Sequence, residues 1–135
     1  MSGLLKMHSL GIIEKLPRLF GVQSHHADPV WRYYSRPEAE RRYEPVKVQA
    51  SVAQAAMIGN PVSFPRVKKL VARYTAAGGD FNMVQVTEQA IMDAMIIANR
   101  HGHIACTQGG ECLAGLLRAR EQGLIDKSDF SILDA

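Results

Sequence analysis

At 135 residues, 47% of them hydrophobic, the chain is long enough for one domain that buries roughly two-thirds of its unfolded surface. No apolar run approaches the ~20 residues that span a bilayer, and Lys6 and His8 interrupt the first segment before it could serve as a signal-peptide core. The net charge is a mild +3, and two cysteines, Cys106 and Cys112, make no disulfide scaffold and suit a reducing, cytoplasmic setting.

Ser2 is placed to cap a helix over Gly3–Gly11, with Leu4, Leu5 and Met7 as its apolar positions. Arg18–Gln23 reads as a short buried strand. Asp28 followed by Pro29 opens a second helix, a capping carboxylate before a first-turn proline, and that helix reaches Ser35. Residues 36–46 are the most polar stretch and read as an exposed excursion. Arg32, Arg36, Arg41 and Arg42 alternate here with Trp31, Tyr33, Tyr34 and Tyr43, superficially like a nucleic-acid surface. Glu38, Glu40 and Glu44 neutralise much of that charge, so a solvated face with no nucleic-acid partner is the better reading.

Ser51 caps a short Ala-rich helix to Met57, after which Gly59-Asn60 and Pro61 force a turn and leave the Asn60 amide on a stiff loop. Pro65 then opens a helix to Ala77, stopped by Gly78-Gly79. Phe81–Val86 alternates as a strand. Thr87 caps Glu88–Arg100, whose run of Ile91, Met92, Ala94, Met95, Ile96, Ile97 and Ala98 predicts a largely buried helix. His103–Cys106 reads as a strand, Gly110–Glu121 as a helix closed by Gly123, and Phe130–Leu133 as a last strand. Strands separated by helices of this length imply crossover connections. The pattern therefore predicts one α/β region over 1–135, a mainly parallel sheet flanked by helices.

Ligands of open parallel sheets collect at the carboxyl ends of strands, which directs attention to Gln23–His26 and to Cys106–Gly110. The second junction offers a hydroxyl (Thr107), an amide (Gln108) and backbone N–H groups at a helix start, suited to an anion or a ring nitrogen. His25-His26 reads as a loop pair. The H-x-H-x-x-C-x5-C spacing of His101, His103, Cys106 and Cys112 fits no usual zinc pattern, so no metal is assigned. No Ser-His-Asp arrangement, P-loop or paired-carboxylate spacing stands out, and no catalytic residue is assigned.

The run Ile58-Gly59-Asn60-Pro61-Val62-Ser63-Phe64-Pro65-Arg66-Val67 resembles the corresponding stretch of threonine synthases, pyridoxal-phosphate (PLP) enzymes of the tryptophan-synthase-β fold type. Leu10–Arg18 leading into Phe20-Gly21-Val22-Gln23 and Ala27-Asp28-Pro29 agrees upstream. His103-Ile104-Ala105-Cys106 and Leu113-Ala114-Gly115-Leu116-Leu117 agree downstream, in the same order. Related sequences often carry Glu-Pro or Pro-His and then Ser or Thr where this chain has Thr107-Gln108-Gly109-Gly110.

The resemblance implies conversion of O-phospho-L-homoserine and water to L-threonine and phosphate. Ser2, Thr107 and Gly109 become the expected PLP contacts, and Asn60 the expected substrate contact. It also implies a partial sequence: the lysine that carries PLP, the glycine-rich turn before Ser2 and a segment after Ala135 have no counterpart here, so the fragment alone is expected to be inactive. A homodimer is compatible with the family. A cysteate-synthase-like enzyme acting on phosphoserine and sulfite, or a non-catalytic α/β binding module, are the alternatives.

Overall fold

The computed structural model describes residues 1–134; Ala135, where the expected partial sequence stops, lies outside them. Two strands, β1 (Leu19–Ser24) and β2 (Phe81–Val86), form a two-stranded sheet. Leu19 N–H donates to Asp80 O and His25 N–H to Val86 O, both at 2.9 Å. Pairs that advance together along both strands define a parallel register. The described residues also form five α-helices, α1 (Ser2–Ser9), α2 (Pro29–Tyr34), α3 (Phe64–Ala76), α4 (Glu88–Arg100) and α5 (Thr107–Glu121), and two short 3-10 turns. The architecture is α/β, with a parallel sheet and flanking helices, as the periodicities imply. The residues group into two compact units.

The first unit comprises Met1–Gly21 and Pro61–Asn82. Its core is the apolar face of α3, where Phe64, Val71 and Tyr74 are buried while Lys68, Lys69 and Arg73 stay exposed. Pro65 sits in the first turn of α3, where its missing N–H costs no helical bond. Gly78, at φ +85°, ends that helix. The Tyr74 hydroxyl donates to Pro17 O at 2.6 Å, giving this fully buried ring a polar partner. In α1 the capping position is Met1, Ser2 lies inside the helix, and no residue is buried. The helix ends at Ser9, two residues short of the expected Gly11.

The second unit comprises Val22–Asn60 and the described residues from Met83 onward. Its centre is α4 packed on α5. Only one stripe of α4 is buried, Ile91, Ala94 and Ala98, while Ile96 and Ile97 are more than 40% exposed, so this helix is amphipathic rather than largely buried. Thr87 caps α4 as expected, its Oγ1 accepting from Ala90 N–H at 3.1 Å. Thr87→Ala should cost about 1 kcal/mol, seen as a lower urea midpoint; an unchanged midpoint would mean that solvent serves that N–H equally well. On α5 the buried face is mostly small (Gly110, Ala114, Gly115 and Ala119), which lets it approach its neighbours closely.

Several local expectations are corrected by where the backbone hydrogen bonds go. Asp28 does not cap α2: the N–H groups of Val30 and Trp31 donate to Gln23 Oε1 at 3.0 and 2.9 Å, so a strand side chain serves that helix. The expected 51–57 helix is only a single 3-10 turn, Gln54–Ala56, and Ser51 Oγ accepts from Ala53 N–H at 3.1 Å instead of capping a helix. So short a segment cannot offset helix nucleation. Residues 103–106 are not a strand, because His103 N–H donates to Ala98 O (3.0 Å) and Ala105 N–H to Asn99 Oδ1 (3.3 Å), tying the segment to the end of α4. Residues 130–133 are not a strand either; Phe130 is 91% exposed and no described strand pairs with them. Helix α5 begins at Thr107, three residues before the expected Gly110.

Candidate functional site

The carboxyl ends of β1 and β2 carry a polar cluster that a protein core accepts only when its groups are satisfied. Ser24, the last residue of β1, is buried and is the hub. Its backbone N–H donates to Glu111 Oε1 at 2.8 Å, and its hydroxyl donates to Glu88 Oε1. The second oxygen of Glu88 accepts from Val52 N–H at 2.6 Å. Ser24 Oγ also accepts from His26 N–H at 3.1 Å. The His26 ring donates through Nδ1 to Ala50 O at 2.6 Å and lies 3.6 Å from Glu88 Oε1. Three elements thus meet here: the end of β1, the start of α4 through Glu88, and the first half of α5 through Glu111.

The two carboxylates are pushed in opposite directions. Burial raises Glu88, but hydrogen bonds from Ser24, Val52 N–H and Ser51, together with the nearby His26, outweigh that and hold it below the ordinary carboxylate range. Glu111, only 6% exposed, is raised by burial and further by the charge of Glu88, with the Ser24 N–H bond opposing. One carboxylate is therefore held ionised beside a second biased toward its neutral form. Beside this cluster, Asp28 (1% exposed) is held by Arg32 Nε at 2.8 Å and by Gln85 Nε2 at 2.6 Å. Burial of Asp28 is tolerable because both of its oxygens are engaged.

The residues selected from sequence fall in different places. Thr107 and Gly109 lie in the first turn of α5, in the same unit as the cluster. The Thr107 hydroxyl donates to Gln108 Oε1 at 3.3 Å, and Gly109 N–H donates to Cys106 Sγ at 3.5 Å, Cys106 being the cap of α5. Asn60 is exposed on its loop, its Oδ1 accepting from Tyr43 hydroxyl at 3.0 Å. Ser2 belongs to the other unit, where it lines an open groove of about 590 Å³ with Lys6, Ser9 and Arg73. Neither α1 nor α5 has an acidic residue in its first turn, so no carboxylate competes with an anion there. All six lysines are exposed. Among the described residues, no three His, Cys, Asp or Glu side chains are placed to share a metal ion.

Sequence reasoning reached the Gln23–His26 junction but missed Glu88 and Glu111. A signal for Glu111 was present: it lies on the same helical stripe as Ala114 and Gly115, a charged residue on a buried small-residue face. Nothing local marked Glu88, whose partners lie 36 and 64 positions away.

No protein-family model matches the chain. Over 124 residues, 92% of its length, it is 30% identical to threonine synthase 2, chloroplastic, of Arabidopsis thaliana. Over 128 residues, 94% of its length, it is 30% identical to the threonine synthase of Methanocaldococcus jannaschii. The chain matches a part of threonine synthases. It spans about a quarter to a third of these relatives, 23% and 30% of their respective lengths. No helix among the described residues is long and apolar enough to cross a membrane.

Proposed function

We propose that this chain is the carboxyl-terminal part of a cytoplasmic threonine synthase, a PLP-dependent lyase that converts O-phospho-L-homoserine and water to L-threonine and phosphate. The observation that carries the reading is similarity over more than nine-tenths of the chain to two threonine synthases from distant organisms. The exposed apolar side chains agree with it. Val62, Ile104, Phe130 and Ile132 are almost fully solvated, which suits a segment whose remaining partners lie in a longer polypeptide.

The residues present fit one part of a PLP site. In the second unit, Thr107 with Gly109 at the start of α5 would contact the cofactor, with no acidic residue in that first turn to compete. Ser2, in α1 of the first unit, is the other cofactor contact that the resemblance implies. PLP supplies an electron sink for removing protons from carbon. Asn60, fixed by Tyr43 on a loop stiffened by Pro61, would orient the substrate. None of the exposed lysines fits the role of the PLP-carrying lysine, so the 135-residue chain alone should form no threonine.

The test is formation of L-threonine and phosphate from O-phospho-L-homoserine by the longest polypeptide that carries this segment, beside a parallel assay with phosphoserine and sulfite. Threonine formation supports the reading; activity only in the parallel assay assigns the protein to the cysteate-forming reaction; silence in both favours a non-catalytic module. In the same polypeptide, Asn60→Ala should reduce turnover about 10²-fold, the scale of a lost positioning contact, with no fall in melting temperature. Unchanged kinetics with a lowered melting temperature would make this loop purely structural.

A further inference from the structure

A small pocket in the second unit is lined by Arg32, Arg36 and Arg42, with Glu44 and the rings of Pro29 and Pro45. We propose that it binds the phosphate group of a small molecule. The proposal stands on the pocket's own geometry and does not depend on the threonine-synthase reading.

Size comes first. The cavity is about 60 Å³, several times the ~10–15 Å³ that one water needs by the same measure, and so has room for a tetrahedral oxyanion. Charge comes second. Arg32 spends its Nε on Asp28, at 2.8 Å, which aims the guanidinium while its hydrogen bond leaves the terminal nitrogens out. Arg36 and Arg42 have no carboxylate partner within ion-pair distance among the described residues, although Glu44 lines the same pocket. Three arginines lining one concavity supply a donor set suited to phosphate, because a guanidinium can give two parallel N–H bonds.

The frame is also held in place. Helix α2, which carries Arg32, is anchored by the two bonds to Gln23 Oε1. The Arg36 carbonyl accepts from Arg41 Nε at 3.1 Å, and the Arg41 guanidinium rests 5.2 Å from the Tyr34 ring centroid and 6.0 Å from that of Tyr33. Arg41 is therefore a brace for the Arg36 backbone and not a fourth ligand. Beside Pro45, Val46 N–H donates to Gly59 O at 2.9 Å, and a side chain at Gly59 would overlap the Val46 carbonyl. The fixed φ of Pro45 and the close approach that Gly59 permits hold the backbone on which Glu44 and Val46 line the pocket.

Calorimetric titration of the chain with inorganic phosphate, O-phospho-L-serine and L-serine, at constant ionic strength, tests the proposal. Phosphate and phosphoserine should bind and serine should not; tighter binding of phosphoserine identifies an ester as the ligand, and tighter binding of phosphate identifies the free ion. The double change Arg36→Gln and Arg42→Gln should weaken binding by about tenfold or more, each lost charge-assisted bond acting directly on the anion. Glu44→Gln should act in the opposite sense and tighten it. Both arginines are exposed, so the double variant keeps its circular-dichroism spectrum and melting temperature. Absence of binding by either phosphate compound, equal affinity in the arginine variant, or an equal loss on Lys68→Gln with Lys69→Gln, would overturn the site.

Discussion

Replacing Gly115 by alanine is expected to destabilise the protein by about 1–3 kcal/mol, the usual cost of overpacking. The sign is the informative part, because Gly→Ala within a helix ordinarily stabilises by about 0.5–1 kcal/mol through helix propensity and unfolded-state entropy. At Gly115 a Cβ would overlap Val22 Cγ2 and come within 2.8 Å of Cγ1 and 3.0 Å of Cβ. Val22 is β-branched and held in β1, so it has little rotameric freedom with which to yield. Gly3→Ala in α1, where an added Cβ meets nothing within 4 Å, should show the ordinary stabilising sign. Urea midpoints of the two variants decide the matter: a shift of the same sign in both would mean that α5 does not press on β1 as closely as described.

Glu111→Gln should change how stability depends on pH. Burial, and then the charge of Glu88, raise the folded-state affinity of Glu111 for a proton. A raised carboxylate favours the fold fully below its unfolded value, and this contribution disappears as pH rises through the folded value. Glu88, whose hydrogen bonds outweigh its burial, has the opposite sign: its contribution is present above the unfolded value and is lost as pH falls through the folded one. Above the ordinary carboxylate range, Glu111 therefore gives the wild type a falling limb with a slope of at most about 1.4 kcal/mol per pH unit. Glutamine keeps the shape and can still accept from Ser24 N–H, so this variant should lose that limb and retain the acid-side loss due to Glu88. Parallel stability curves for wild type and variant would rule out a proton-biased Glu111.

Periodicity predicted β2 to the residue, located β1 and α3 within one position, and gave α4 with its Thr87 cap, because their side-chain spacing, proline and glycine signals act locally. It failed at 103–106 and 130–133. Alternation of apolar residues prepares a strand, but a strand exists only where another offers its N–H and C=O groups, and the described backbone at 103–105 turns back to α4 instead. At α2 the expected cap was displaced for a similar reason. Gln23, whose side chain projects from β1, reaches the free N–H groups first, and Asp28 is left to Arg32 and Gln85.

What the sequence alone determined was the α/β class, the helix starts at Thr107 and Glu88 to within a turn, and the resemblance to threonine synthases, two of which are 30% identical to more than nine-tenths of the chain. The tertiary structure alone decided that Ser24 draws together Glu88 and Glu111, and that Arg32 of α2 lines one cavity with Arg36 and Arg42 of the polar excursion. The physical reason is range. Helix and strand preferences depend on neighbours within a few residues, whereas the cluster depends on contacts between residues 64 and 87 positions apart, and the pocket on how the turns between residues 29 and 46 fold back on α2. Those energies exist only once the chain has folded.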